Sequence, residues 1–521
     1  MKYIVSLTGA TGNMGLETLR QLMEIEDIET VKILVRKESR KAAEKLKKKY
    51  GNRLQVVIGY LYERDDCEKL IKDCHYVLNL AAVIPPESDK YPKLTHLTNF
   101  VGVKHIVDIL EAMEKDKRPK LVHISTVALY GNRNEKHPWG RVGDPLLISP
   151  YDVYSYSKLK GERYVLDSSL ENRAVIRQTA MLHSRMLTDN MSDGLMFHTC
   201  YNAPLEWATA RDSGLLMKRI IEEDIKGKLD DYFWKGCFNL GSKAENRLIG
   251  YDTFNDGFKL IGGSTKKYMK PHWNATRNFH GLWYYDGYKL EELFSYQKES
   301  VTDYWNEIGK THWYYAFGKI VPPSLISFFA IQRLLPHPNS PTYWRRNGEK
   351  GKIIATFGSE EAFDNLPKKW ENFNLLFENK DSEGNYIDYK ALLDIKNAKL
   401  LDHGYDENKK DSEIDLEDLK KAAEFRGGKL LSTSMTKGDL HTKLKWACAE
   451  GHEFEASPFT IIKAGHWCEE CMPDYTWNFD MLAKKNPFFA QVWYDSHEKD
   501  ENMIYYFDED FKAHYKKEDI K

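Results

Sequence analysis

Tyr3-Ile4-Val5-Ser6-Leu7-Thr8-Gly9-Ala10-Thr11-Gly12-Asn13-Met14-Gly15 opens the chain as an apolar run, a glycine-rich turn and then a helix-like stretch from Leu16 to Met23. A strand that feeds a helix through glycines lets the backbone approach a pyrophosphate and aims the helix N-terminus at it. Gly9, Thr11, Gly12, Asn13, Met14 and Gly15 are therefore the candidate phosphate loop. Working outward, the apolar runs 31–35, 54–58, 76–80, 120–126 and 174–177 alternate with helical patterns such as Leu94 to Met113. Strands alternating with helices predict an α/β fold with a doubly wound parallel sheet of Rossmann type.

The edge of that sheet should carry the chemistry. Val35 stands where an acid would grip the adenosine ribose, and Arg36 follows it, with Arg40 and Lys41 beyond. Basic side chains there suit a ribose 2′-phosphate, so NADP(H) is preferred over NAD(H). Ala81 and Ala82, after the fourth strand, let a flat cofactor lie against the backbone. The fifth strand delivers Thr126 to the same edge. Tyr154 and Lys158, four apart, share one helix face. A lysine ammonium beside a phenol should lower the phenol from its usual value of about 10 and make it a usable acid or base.

Five signatures in this order resemble the extended short-chain dehydrogenase/reductases, the group of nucleotide-sugar epimerases and dehydratases and 3β-hydroxysteroid dehydrogenases. They are Thr8-Gly-Ala-Thr-Gly-Asn-Met-Gly15, Asn99-Phe-Val-Gly-Val103, Ser125-Thr-Val-Ala-Leu-Tyr-Gly131, Tyr154-x-x-x-Lys158 and Phe238-Asn-Leu-Gly241. The resemblance implies a hydroxyl role for Thr126, acid/base work for Tyr154, ribose binding and pKa lowering for Lys158, and a supporting role for Asn99. Tyr60 replaces the family's adenine-facing aspartate, and Gln178-Thr179-Ala180 replaces its Arg-Pro segment, with no asparagine near Ala180 for a substrate diphosphate.

Residues 1–180 are thus expected to form the dinucleotide domain and 181–310 a smaller substrate lobe that returns to it. The lobe's aromatics, Trp207, Tyr232 to Trp234, Trp273 and Trp283 to Tyr285, predict an apolar pocket wall or an ordinary core. Residues 311–376 form an apolar extension broken by Lys319, Pro322, Pro323 and Arg333, too interrupted to span a membrane. Packing onto the first domain is expected, with a lid or a peripheral membrane contact as alternatives. Residues 377–423 read as polar linker around a short helix.

Cys448, His452, Cys468 and Cys471 have metal-ligand spacing, with His466 as a substitute ligand. Residues 424–473 resemble small zinc ribbons that read Lys-Leu-x-Trp-x-Cys, Gly-His and Gly-x-Trp-Cys-x-x-Cys, which implies a small C-terminal module with structural zinc. The tail, 474–521, carries no chemical signal. Seven cysteines in 521 residues are no disulfide framework, and a strand-like start is expected to leave no room for a cleaved signal, so the chain reads as cytoplasmic. Lys plus Arg total 76 against 78 Asp plus Glu, a net charge of −2, and Glu450, Glu453, Glu455, Glu469 and Glu470 crowd the cysteines. No nucleic-acid partner is expected; an oligomer stays open.

Three functional readings follow. The leading one is an NAD(P)-dependent oxidoreductase that moves a hydride between nicotinamide and the hydroxyl or carbonyl carbon of a small, apolar, steroid- or terpenoid-like molecule. The second is an epimerase or dehydratase of nucleotide sugars that recycles its cofactor. The third is a non-catalytic dinucleotide sensor or scaffold.

Overall fold

Apolar runs of four to eight residues, each too short for a helix of that burial, pair side by side into one parallel sheet. The computed structural model describes residues 2–186, 193–376, 379–380, 386–387, 389–471 and 476–506. The strands are β1 (Tyr3–Thr8), β2 (Ile28–Val35), β3 (Leu54–Ile58), β4 (Tyr76–Asn79), β5 (Lys120–Thr126), β6 (Arg173–Gln178) and β7 (Cys237–Leu240). Their order across the sheet is β7-β6-β5-β4-β1-β2-β3, so the direction of winding reverses between β1 and β4. That reversal opens a crevice at the strands' C-terminal ends, where a Rossmann-type sheet takes its ligand.

Helices cover both faces. α1 (Asn13–Leu22) brings Leu19 and Leu22 to one side, where α4 (Ala210–Ile225) adds Leu216, Met217 and Ile220. α2 (Gly102–Ala112) and α3 (Val153–Leu166) cover the other with Val103, Ile106, Val165 and Leu166. The predicted helix from Leu94 to Met113 is broken into Pro92–His96, a π turn over Leu97–Val101, and α2. Thr209 caps α4 by accepting from Asp212 N, and Asp212 in turn accepts from the Lys298 and Glu299 amides, a structural duty.

A second, three-stranded sheet of Ala180–Leu182, Pro204–Thr209 and Arg247–Ile249 forms the base of the substrate lobe. Of the lobe aromatics, Phe233 and Trp234 lie in the core under the main sheet, while Trp273 and Trp283 form a separate core with Trp370 and Leu375. The bland half of the expectation thus accounts for most of them.

The extension does not lie flat on the first domain. Helix Pro323–Ile326 packs instead on the lobe's short helix Thr265–Tyr268, and Trp313, Phe317, Phe328 and Phe329 remain exposed. Nor is the region after it simple linker. Leu401, His403 and Ile414 are buried, and Glu407 pairs with Arg141 at 3.2 Å. The polar stretch 378–384 lies largely outside the described residues.

The C-terminal module carries helix Leu416–Phe425 and the strands Lys429–Leu430, Leu444–Ala447 and Glu453–Ala456. Its Trp446, Cys448 and Trp467 share one continuous core with Tyr130, Ile148, Tyr156 and Leu159 of the first domain. Phe479, Phe488 and Trp493 of the tail belong to that core as well; residues 507–521 lie outside the described set.

Candidate active site and cysteine–histidine cluster

The phosphate loop is tight enough to demand its glycines. Gly9 sits at φ 72°, and a Cβ there would come within 2.9 Å of Ala81 N; a Cβ on Gly15 would strike Gly9 O at 2.0 Å. Gly12, which precedes α1, donates its N–H to Gly9 O at 2.9 Å and is itself exposed. The helix therefore begins at an open turn with no side chain over its first amides, which is where a pyrophosphate fits. Thr11 and Asn13 are half-buried beside it, and Asn13 Oδ1 accepts from Arg185 Nη2 at 2.8 Å. Met14 is buried in the core, so only its backbone can serve a ligand.

The loop is tied to the neighbouring strand end. Thr8 Oγ1 accepts from the Leu80 and Ala81 amides at 3.0 Å and donates to Asn79 Oδ1 at 2.7 Å. Ala81 and Ala82 are thus held at the rim, half-buried. At the end of β2 Arg36 is exposed, but Glu38 in the same turn accepts from the Tyr60 hydroxyl at 2.7 Å. Behind Tyr60, Asp66 Oδ2 accepts the Tyr60 amide at 3.1 Å and holds the turn after β3.

α3 begins where Asp152 caps it by accepting from Ser155 N at 2.9 Å. Tyr154 follows, half-buried, and hydrogen-bonds with the Thr126 hydroxyl across the sheet edge. Thr126 Oγ1 also accepts from Ala128 N at 3.2 Å. One turn on, Lys158 is buried and donates from Nζ to Ile124 O at 2.6 Å. Its ammonium is engaged with the strand and does not lower the phenol as expected. Burial pushes Tyr154 up to about 12, against the opposing Thr126 hydrogen bond, and burial brings Lys158 down to about 8 against the attraction of Glu162. The phenol is thus held neutral and the amine gives up its proton more readily than an exposed lysine.

Asn99 reaches no open space. Its amide donates to Val83 O at 2.9 Å and Ser157 Oγ at 3.0 Å, and its oxygen accepts from Val83 N at 2.8 Å. It clamps the segment after β4 to α3, a positioning role.

A cavity of about 1050 Å³ opens beside this pair, lined by Ser149 to Val153 and Ala180 on the domain side. Tyr154 and Thr126 are not part of its lining, nor is the phosphate loop. Its far wall comes from the lobe and from residues 339–356 of the extension, with Trp344 and Lys352. Of the lobe aromatics quoted from the sequence, Trp207 lines it and the others do not.

Ionisable groups that sequence reasoning missed face this cavity: Asp89, Asp152, His198, His280 and Lys352. Asp89 is open to the cavity but enclosed by protein around it; burial first, then the nearby Asp152 charge, raises it to about 7. Burial also pushes Asp152 up, but the His280 ring 3.3 Å away and Ser155 outweigh this and hold it below the usual carboxylate range. Burial takes His198 down to about 4, so it is a neutral ring. Only Asp152, two residues before Tyr154, had a local signal; the others come from four separate segments.

Cys448, His452, Cys468 and Cys471 converge, with their ligand atoms all within 4.8 Å of one another. Three distances from His452 Nδ1, to Cys448, Cys468 and Cys471 Sγ, are 3.4, 3.7 and 3.5 Å, and Cys448 and Cys471 Sγ are 3.5 Å apart. A tetrahedral zinc site has S···N and S···S edges of roughly 3.5 and 3.8 Å. The four residues therefore fit a closed site with no open position. His466 is no substitute ligand: its Nε2 donates to Glu162 Oε1 at 2.9 Å.

Residues 5–182 match the NAD dependent epimerase/dehydratase family. No curated protein matches the chain. Solved structures similar to it include the dTDP-glucose 4,6-dehydratase of Bacillus anthracis str. Ames in complex with NAD, at 18% identity over 60% of this chain and 98% of that one, TM-score 0.45. The UDP-Glc/GlcNAc 4-epimerase of Campylobacter jejuni is 17% identical over 59% of this chain and 99% of its own, TM-score 0.45. The DesIV double mutant, a dTDP-glucose 4,6-dehydratase from Streptomyces venezuelae with NAD and DAU bound, is 15% identical over 59% and 97%, TM-score 0.47.

Proposed function

We propose, from the match of residues 5–182 to the NAD dependent epimerase/dehydratase family, that this chain transiently oxidises a hydroxylated substrate and returns the hydride to it, recycling the cofactor. The observation that carries this reading is the chemistry of the cavity wall. Asp89 and Lys352, and the outer edges of the Asp152–His280 pair, would lose water against a steroid or terpenoid skeleton, which is costly, whereas a polyhydroxylated molecule can hydrogen-bond to them. The steroid-like expectation drawn from aromatic content is set aside on that ground.

The dinucleotide would supply a hydride acceptor and donor at its nicotinamide, with the open turn at Gly12 and the first amides of α1 holding its pyrophosphate. Thr126 and Tyr154 would hydrogen-bond the reacting oxygen, and Tyr154 would take and return its proton. Lys158 would hold a ribose hydroxyl of the dinucleotide, and its positive charge would favour tyrosinate. Asn99 would keep α3 in register with the rim. We favour NAD(H) over the NADP(H) suggested by Arg36, because the Glu38 carboxylate in the same turn would repel a 2′-phosphate. The four-ligand cluster would hold zinc as a structural ion and take no part in the chemistry.

The test is a panel of nucleotide sugars incubated with enzyme and catalytic NAD. Isomerised or dehydrated product with no stoichiometric rise in reduced nicotinamide is expected. Product formed one-for-one with reduced nicotinamide would instead select net oxidation.

A further inference from the structure

Among the described residues the extension presents a concentration of apolar surface that neither the sheet nor the cavity uses. Trp313 is 66% exposed, Phe317 58%, Ile320 81%, Phe328 58% and Phe329 67%. Such residues scattered singly would need no explanation, but four of these form two packed pairs within one short stretch of chain. Trp313 packs on Phe317 at 5.8 Å between ring centroids and Phe328 on Phe329 at 5.1 Å. Both pairs stand on one base: Lys319 lies over Gly262, Gly318 over Ile261, and Ser327 Oγ donates to Tyr268 O at 2.7 Å. Ser327, Ile331 and Leu334 face inward from the same segment. The side that looks outward is therefore largely apolar, with Ser327 and Gly318 turned to the base.

The segments that build it are poor in acid along the chain. From Ile308 to Gly348 the sequence has no Asp or Glu, and from Gly257 to Tyr285, the segment that forms the base, it again has none, in a chain with 78 acidic residues. Lys267, Lys310 and Lys319 are exposed on these two segments. An apolar tip carrying Trp and Tyr, on segments that hold lysines and no carboxylate of their own, matches the layered chemistry of a bilayer surface: acyl chains, then an interface that favours Trp and Tyr, then anionic headgroups. Its segments are short, Trp313–Ile320, Pro323–Ile326 and Ser327–Ile331, and no helix among the described residues is long and apolar enough to cross a membrane. The geometry fits lying on the surface, not spanning it.

We propose that this promontory, residues 313–329, seats the protein on an anionic membrane surface. The base beneath it is also a cavity wall, since Gly257 and Phe258 line the cavity and Ile261 and Gly262 support the promontory. Membrane seating places that side of the cavity next to the headgroup layer, where an amphiphilic substrate with a hydroxylated head would be presented to Asp89 and Asp152.

The experiment is flotation of the full chain with vesicles of phosphatidylcholine alone and of phosphatidylcholine mixed with phosphatidylglycerol. Wild type is expected to float with the mixed vesicles and to remain behind with phosphatidylcholine. The triple variant Ile320→Ser, Phe328→Ser, Phe329→Ser changes exposed residues only; it should lose at least about tenfold in partition while cofactor binding and turnover of a soluble substrate stay unchanged. Lys267→Gln and Lys319→Gln should each cost about fivefold. Equal flotation on both vesicles, no flotation at all, or a wild-type dimer that the triple variant dissociates would overturn the proposal, the last by giving the surface to a second copy. Cofactor titration and product analysis in solution report on the active site separately, so failure of one reading leaves the other readable.

Discussion

His466 and Glu162 meet 2.9 Å apart with both side chains buried, one from the loop that precedes Cys468 and the other from α3, one turn beyond Lys158. Glu162 also holds Arg177 at 2.6 Å, and Arg177 Nη2 donates to Ala464 O at 2.6 Å. Arg163 Nη1 donates to Trp467 O at 3.0 Å, and Thr460 Oγ1 donates to Asp167 Oδ1 at 2.7 Å. The C-terminal module is therefore bolted along the helix that carries Tyr154 and Lys158.

Replacing Glu162 by Ala leaves the Arg177 guanidinium charged in a fully buried site with its carboxylate gone. Breaking such a pair from one side costs about 3–5 kcal/mol, far more than an exposed bridge. Denaturant unfolding should register that loss, and a change below about 1 kcal/mol would mean water reaches the site. His466→Ala, which leaves the Glu162–Arg177 pair in place, should cost less.

Tyr154→Phe removes the hydroxyl proposed to exchange a proton with the reacting oxygen while keeping the ring. Turnover is expected to fall by at least about a hundredfold, with cofactor affinity within about twofold of wild type. Isothermal titration beside product analysis separates the two. Activity near the wild-type level would remove Tyr154 from the mechanism.

Lys158 gives stability a definite pH sign. Burial lowers it from 10.5 to about 8, so between these values the unfolded chain binds the proton that the folded chain has released. Stability from this group should rise as pH climbs from about 8 toward 10.5, and below about 8 a full penalty of about 3 kcal/mol remains. Lys158→Met should then be the more stable protein at pH 7, by up to that amount, should lose this pH dependence, and should bind cofactor more weakly. Thermal or denaturant curves across pH 7 to 10 provide the check.

Asp89 titrates near 7 inside the cavity, so it is mostly protonated at pH 6 and mostly ionised at pH 8. If substrate hydroxyls bind to it, the pH profile of kcat/KM should contain a limb close to neutrality that Asp89→Asn abolishes. Asp152→Asn cannot substitute as a control, because Asp152 caps α3. The same limb persisting in the Asp89→Asn variant would assign it elsewhere.

Freshly purified protein should contain about one equivalent of zinc, and Cys468→Ser should lose it. Because Trp446 and Cys448 share a core with Tyr130, Tyr156 and Leu159, chelation should lower the melting temperature of the dinucleotide domain too, instead of melting a separate module. Two independent transitions after chelation would contradict that shared core.

Much of the fold was readable in order along the chain. Strand–glycine–helix at residues 3–23 and the alternation that follows specify a doubly wound sheet because their information is local: apolar period, turn residues and helix starts within a few positions. The four Cys and His positions were legible for the same reason, their short spacings converging in the structure, and Thr126 and Tyr154 meet at the sheet edge, whereas the Tyr154–Lys158 spacing did not bring the ammonium to the phenol. The helix carrying Asn99 was anticipated, but not its π turn.

What the sequence determined by itself was therefore the sheet, the glycine loop and the ligand spacing, all set by neighbours in the chain. Tertiary structure decided the rest. Lys158 turned to Ile124 O instead of Tyr154, His466 went to Glu162 instead of a metal, and a cavity wall formed from Asp89, His198, His280 and Lys352. These outcomes depend on burial and on which distant groups meet. A side chain's local pattern says what it can bond to, but only packing decides which partner removes it from water.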